Sequence, residues 1–80
     1  MMKTLEAPKG YELLEGRDYY AYYLSHEDRG IIGGLNELES GKIALDLFKN
    51  GEIVPIVSKS ISAALEFSGD LDRMNELGKL

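Results

Sequence analysis

Cysteine and tryptophan are absent from this 80-residue chain, histidine occurs once and proline twice. Without thiols there is no disulfide, no thiolate metal ligand and no cysteine nucleophile. Small secreted domains usually need such staples, so a cytosolic setting is expected. Long apolar runs are also missing. Ile53-Val54-Pro55-Ile56-Val57 is among the longest, far short of the roughly 20 residues of a membrane span. The opening, Met1-Met2-Lys3-Thr4-Leu5, has no apolar stretch of the signal-peptide kind. Positive charge is scarce: 9 Lys and Arg stand against 14 Asp and Glu, a net charge of −5. Binding a nucleic-acid backbone requires Lys and Arg to displace counterions. Direct nucleic-acid binding is therefore not expected, and a basic protein is the expected partner.

Hydrophobic residues make up 44% of the chain and charged residues 29%, an ordinary globular balance. The length allows one domain. Residues 1–9 carry no periodic pattern and read as an N-terminal tail, leaving residues 10–80 as a single α+β domain. A chain this short has a small core. An enzyme pocket of about 300 Å³ or more would consume much of it. Presenting a surface to a partner, or to a second copy, suits it better.

Four segments carry local patterns. Tyr11, Leu13, Tyr20, Tyr22 and Leu24 suit a hairpin turning at Gly16-Arg17, with Leu13 facing Tyr20 and Tyr11 facing Tyr22. That register opposes Glu15 to Asp18, which a longer loop relieves; a short helix over 18–27 is the rival. Ser25-His26-Glu27-Asp28 has the spacing of a capping box, and Ile31, Leu35 and Leu38 follow on one helical face, so a helix is expected there. Gly33-Gly34 weakens it by about 1 kcal/mol per glycine, and Gly41 ends it. Asn50-Gly51 is the preferred two-residue type I′ turn, pairing Lys49 with Glu52, Leu47 with Val54 and Leu45 with Ile56. Pro55 marks its strand as an edge. The rival for residues 42–49 is a helix. Ile61, Ala64, Leu65, Leu71, Met74 and Leu77 then repeat at helical spacing, with Phe67 close to the same face. Gly69 in their midst predicts a kink or two short helices. The expected order is ββα-ββα, with an antiparallel sheet and a C-terminal helix.

Two clusters stand out as candidate partner-binding residues. Tyr19, Tyr20, Tyr22 and Tyr23 cannot all face inward from a strand, because side chains alternate. Either one tyrosine pair forms an interface or the cluster is packing. Glu66, Asp70, Asp72 and Glu76 make an acidic C-terminal segment, with Asp72 and Glu76 a like-charged pair four apart. Such a face steers a basic protein and can imitate a nucleic-acid backbone, or it is simply a solvated surface.

Catalytic and metal patterns are incomplete. His26-Glu27-Asp28 offers one histidine where catalytic zinc usually takes three protein ligands. The segment from Asp70 matches a calcium loop at its start but places Met74 fifth and Asn75 where glycine is needed. Gly33, Gly34, Gly41 and Lys42 suggest a phosphate loop, but its spacing requires glycine where Asn36 stands and Ser or Thr where Ile43 stands. Neither G-x-S-x-G nor S-x-x-K occurs. No cofactor, no metal and no enzymatic activity is expected. The function expected is a non-enzymatic acidic binding module that occupies a basic surface of another protein. Its most concrete form is a small inhibitor: an antitoxin, a phage-encoded blocker of a defence protein, or a nucleic-acid mimic. The alternative is a structural or assembly subunit acting as a homo-oligomer, most simply a homodimer.

Overall fold

Every strand among the described residues pairs with its neighbour in sequence. The computed structural model describes residues 5–78, the last nine by backbone alone. Five strands run β1 (Tyr11–Glu15), β2 (Tyr22–His26), β3 (Gly30–Glu37), β4 (Ile43–Lys49) and β5 (Glu52–Ser58), followed by one helix, α1 (Ile61–Gly78). They form a single antiparallel sheet in the order β1-β2-β3-β4-β5. The helix expected over residues 25–38 is absent, so the order is not ββα-ββα. One C-terminal helix lies against β4 and β5.

The β4–β5 hairpin follows its local signal. Asn50 and Gly51 have φ of 50° and 79°, the two positive values that a type I′ turn requires. Lys49 pairs with Glu52, Leu47 with Val54 and Leu45 with Ile56, which excludes the helical alternative for residues 42–49. β5 is an edge. With Lys49 and Glu52 closing a two-residue turn, Leu45 and Ile56 exchange backbone bonds, whereas Asp46 and Pro55 form a non-bonded pair. The nitrogen of Pro55 therefore points away from β4, where its missing proton costs no ladder bond.

The segment that reads as a helix becomes β3 for reasons that lie outside it. Of the helical trio Ile31, Leu35 and Leu38, only Leu35 is fully buried; Ile31 and Leu38 are exposed. Gly33 and Gly34 are the decisive residues. A β-carbon on Gly33 would collide with the Asp46 carbonyl of β4, and one on Gly34 with the ring of Tyr20. In a helix this pair is only a weakness; in this strand it provides the space that two neighbours occupy. Residues 27–29 form the turn into β3 rather than a helix start. His26 ends β2, with its ring edge-on to Tyr11 at 4.9 Å and its Nδ1 accepting the Asp28 N–H at 3.1 Å.

The β1–β2 register also differs from the one expected. Leu13 faces Leu24 and Tyr11 faces His26. The loop is longer than a two-residue turn and closes with Gly16 N–H donating to the Ala21 carbonyl at 2.9 Å. Glu15 now opposes Tyr22 instead of Asp18, and the like-charge contact disappears.

One sheet face makes the core. Leu24, Leu35, Ile43, Leu45, Leu47 and Ile56 are buried on it beneath Ile61 and Ala64 of α1. Leu5, Tyr11, Leu13, Tyr22, Ile32, Val54 and Leu65 pack around them, so the chain before residue 10 contributes to the domain. Ser60 caps α1: its Oγ accepts the Ala63 N–H at 3.1 Å. The helix runs through Gly69 as one element. Phe67 points outward, 51% exposed. The side chains of Leu71, Met74 and Leu77 lie outside those described.

Leu45 is the central core side chain, with no exposed surface. Leu45→Ala is expected to destabilise the protein by about 2–5 kcal/mol, measured by chemical denaturation. A loss below about 1 kcal/mol would show that the core lies elsewhere.

Candidate protein-binding face

Side chains alternate along each strand, so the residues between the core positions share the opposite face. The registers align Leu14, Tyr23, Gly34, Asp46 and Pro55 in one row across that face. Asn36, Ala44 and Val57 form a second row on one side, and Phe48 with Ile53 a third on the other. α1 lies on the core side, and no described helix or second sheet covers this side. In an antiparallel sheet with one solvated face, that face is normally polar. Here Phe48 is 40%, Ile53 58% and Val57 61% exposed.

The β1–β2 loop folds over the β3 part of this face. Asn36 holds it there: its Oδ1 accepts the Ala21 N–H and its Nδ2 donates to the Tyr19 carbonyl, both at 2.8 Å. The loop turns through Asp18 at φ 56° and lays the Tyr20 ring over Gly34. Gly34 sits between Tyr23 and Asp46 in its row, so Tyr20 reaches both. Its ring centroid is 6.0 Å from that of Tyr23 and 6.1 Å from that of Phe48. Its O–H donates to Asp46 Oδ2 at 2.9 Å. That bond, followed by partial desolvation and the Asp46 charge, raises the Tyr20 pKa above the ordinary tyrosine value. Tyr19 stands at the crest of the loop, 85% exposed, its ring 6.0 Å from Tyr20.

The structure divides the eight residues singled out from sequence. Tyr19, Tyr20 and Tyr23 meet on the helix-free face. Tyr22 does not join them, because it lies opposite Leu35 on the core face and packs there. Tyr20 lies in the loop, so strand alternation does not govern it; it groups with Tyr23 rather than with Tyr22. Glu66 is exposed on α1, which lies across the opposite side of the sheet. Asp70, Asp72 and Glu76 lie outside the described side chains. Sequence reasoning missed Asn36, Asp46, Phe48, Ile53 and Val57. The hairpin register itself held a signal for the last three: once Leu45, Leu47, Val54 and Ile56 face the core, Phe48, Ile53 and Val57 face outward.

Among the described residues no group of three His, Asp or Glu side chains is placed to hold a metal ion. No described helix is long and apolar enough to cross a membrane. A cleft of about 440 Å³ opens between α1 and the sheet, lined by Ile31, Ile32, Leu47 and Leu65 with Arg29 and Lys49. Its described lining supplies neither a carboxylate nor an imidazole. Compared with protein-family models, curated proteins and solved structures, the chain matches none.

Two measurements check this construction. Gly34→Ala forces the Tyr20 ring out of its seat and is expected to cost about 1–3 kcal/mol, as overpacking does. In a Tyr20→Ala background the same change is expected to cost much less; equal costs would refute the seat. Ultraviolet titration is expected to show Tyr20 ionising above the ordinary tyrosine value, and Asp46→Asn to move it back. Because its folded pKa is raised, the Tyr20 contribution to stability is present below the ordinary tyrosine value near 10. It is lost as pH rises through the raised one.

Proposed function

We propose that this chain is a non-enzymatic protein-binding module whose contact surface is the helix-free face of its sheet. The observation that carries this reading is the run of exposed aromatic and aliphatic side chains, Tyr19, Phe48, Ile53 and Val57, on a face that no described helix or second sheet covers. Contiguous apolar exposure of this kind is uncommon on a monomer's surface and marks contact sites. Tyrosine anchors binding at low entropy cost, which suits the loop-borne Tyr19.

The net charge of −5 favours a basic partner. The chemistry of the face agrees with that preference. The rings of Tyr19, Tyr23 and Phe48 each lie about 6 Å from that of Tyr20, whose hydroxyl meets the Asp46 carboxylate. Rings attract guanidinium and ammonium groups, and Asp46 has oxygen lone pairs beyond the bond from Tyr20. A surface rich in arginine is the best-matched partner. The most concrete form of this function is a small inhibitor that covers a basic, nucleic-acid-handling surface. Glu66 on α1 adds to the long-range attraction without sharing the contact face.

An arginine-rich peptide titrated into the isotope-labelled protein tests this. Chemical-shift changes are expected at Tyr19, Tyr23, Phe48, Ile53 and Val57, with affinity falling as salt rises. A Phe48→Ser, Val57→Ser double variant, still folded, is expected to lose at least tenfold in affinity. Shifts confined to α1, or affinity unchanged by salt, would overturn the proposal.

A further inference from the structure

The two edges of the sheet are not alike. On β5 the groups that point outward belong to Ile53, Pro55 and Val57, and the central one has no N–H to offer. Proline at that position is a known protection against edge-to-edge pairing. β1 has no such protection.

Two backbone bonds define what β1 exposes. Gly16 N–H donates to the Ala21 carbonyl at 2.9 Å, and Glu27 N–H to the Gly10 carbonyl at 3.0 Å. Bonded pairs alternate along an antiparallel ladder. In the observed register Glu12 and Leu14 therefore bond to β2. Tyr11, Leu13 and Glu15 turn their N–H and C=O groups outward. The Tyr11 N–H is taken by the Pro8 carbonyl at 3.0 Å. Among the described residues no backbone bond reaches the N–H of Leu13 or Glu15. α1 packs on β4 and β5, across the sheet from this edge.

We propose that β1 pairs antiparallel with β1 of a second copy of this chain, about a two-fold axis at Leu13. Centred there, the whole strand Tyr11–Glu15 overlaps. Leu13 exchanges backbone bonds with its counterpart, and each Glu15 N–H meets the Tyr11 carbonyl opposite. Tyr11 of one copy faces Glu15 of the other, and Glu12 faces Leu14. No carboxylate opposes another, which is the charge condition for a stable cross-strand pair. A centre at Glu12 or Glu15 would set glutamate against glutamate. The axis is normal to the sheet, so both helix-free faces lie on the same side of one continuous sheet, as a bivalent surface. The pairing uses the edge alone and does not rest on the function proposed for the face.

Sedimentation equilibrium on the full chain tests it. Glu15 is exposed and its N–H points outward, so Glu15→Pro removes an edge donor and no ladder bond. The wild type is expected to dimerise as concentration rises. Glu15→Pro is expected to weaken the dimer at least tenfold, since one donor is lost from each copy. Phe48→Ser with Val57→Ser is expected to leave the dimer unchanged. Amide exchange gives a second readout that needs no variant: the Leu13 and Glu15 protons are expected to slow as concentration rises. A chain that stays monomeric to about 1 mM overturns the proposal, that concentration being weaker than most functional contacts. So does a dimer sensitive to the face variant but not to Glu15→Pro, or one in which those two amides exchange as fast as in the monomer.

Discussion

A sheet has two faces, and this chain has one described helix to cover them. α1 buries Ile61 and Ala64 against Leu45, Leu47 and Ile56 and leaves the other side of the sheet without a layer. The tyrosine seat and the exposed strip on β4 and β5 both lie on the face left without that layer. A small domain ordinarily answers such a shortage by making the second face polar. This chain places Phe48, Ile53, Pro55 and Val57 there.

Part of the exposed face is covered by the chain itself, through a loop held by side chains that are distant in sequence. Asn36 clamps the loop backbone and Asp46 receives the Tyr20 hydroxyl. The glycine of β3 leaves room for the ring. Tyr20 therefore acts as a one-residue second layer over β3. The loop that supplies it also lifts Tyr19 into solvent. Packing and presentation are thus divided between adjacent residues: Tyr20 fills a seat, and Tyr19 stands clear of it.

Charge and edges complete the picture. The acidic excess keeps copies apart at long range, but within about a Debye length, roughly 8 Å at physiological salt, local pairs decide. Along β1 those local pairs contain no opposed carboxylates, and along β5 a proline interrupts the donors. Glu66 on α1 and the aromatic residues on the far face are separated by the thickness of the sheet. A single flat partner meets one set and only feels the field of the other.

The sequence by itself determined the C-terminal helix and, if residues 42–49 were a strand, the β4–β5 register and the edge position of Pro55; the choice of strand over helix there came from the structure. Each depends on contacts a few residues apart: positive φ at Asn50 and Gly51, an absent N–H, a repeat of three and four. Alternation also foretold that Tyr22 and Tyr23 take opposite faces, whereas Tyr19 and Tyr20 lie in the loop before β2. Only the tertiary structure decided that residues 30–37 form a strand. The spacing of Ile31, Leu35 and Leu38 suits a helix, and what overrides it is the fit of Gly33 and Gly34 against Asp46 and Tyr20. It decided likewise that Tyr22 turns inward and Tyr20 outward, since the register set by Leu13 and Leu24 lengthens the loop and frees Tyr20 from alternation. Short-range backbone preference is written residue by residue, whereas a seat for a ring exists only once strands far apart in the chain have met.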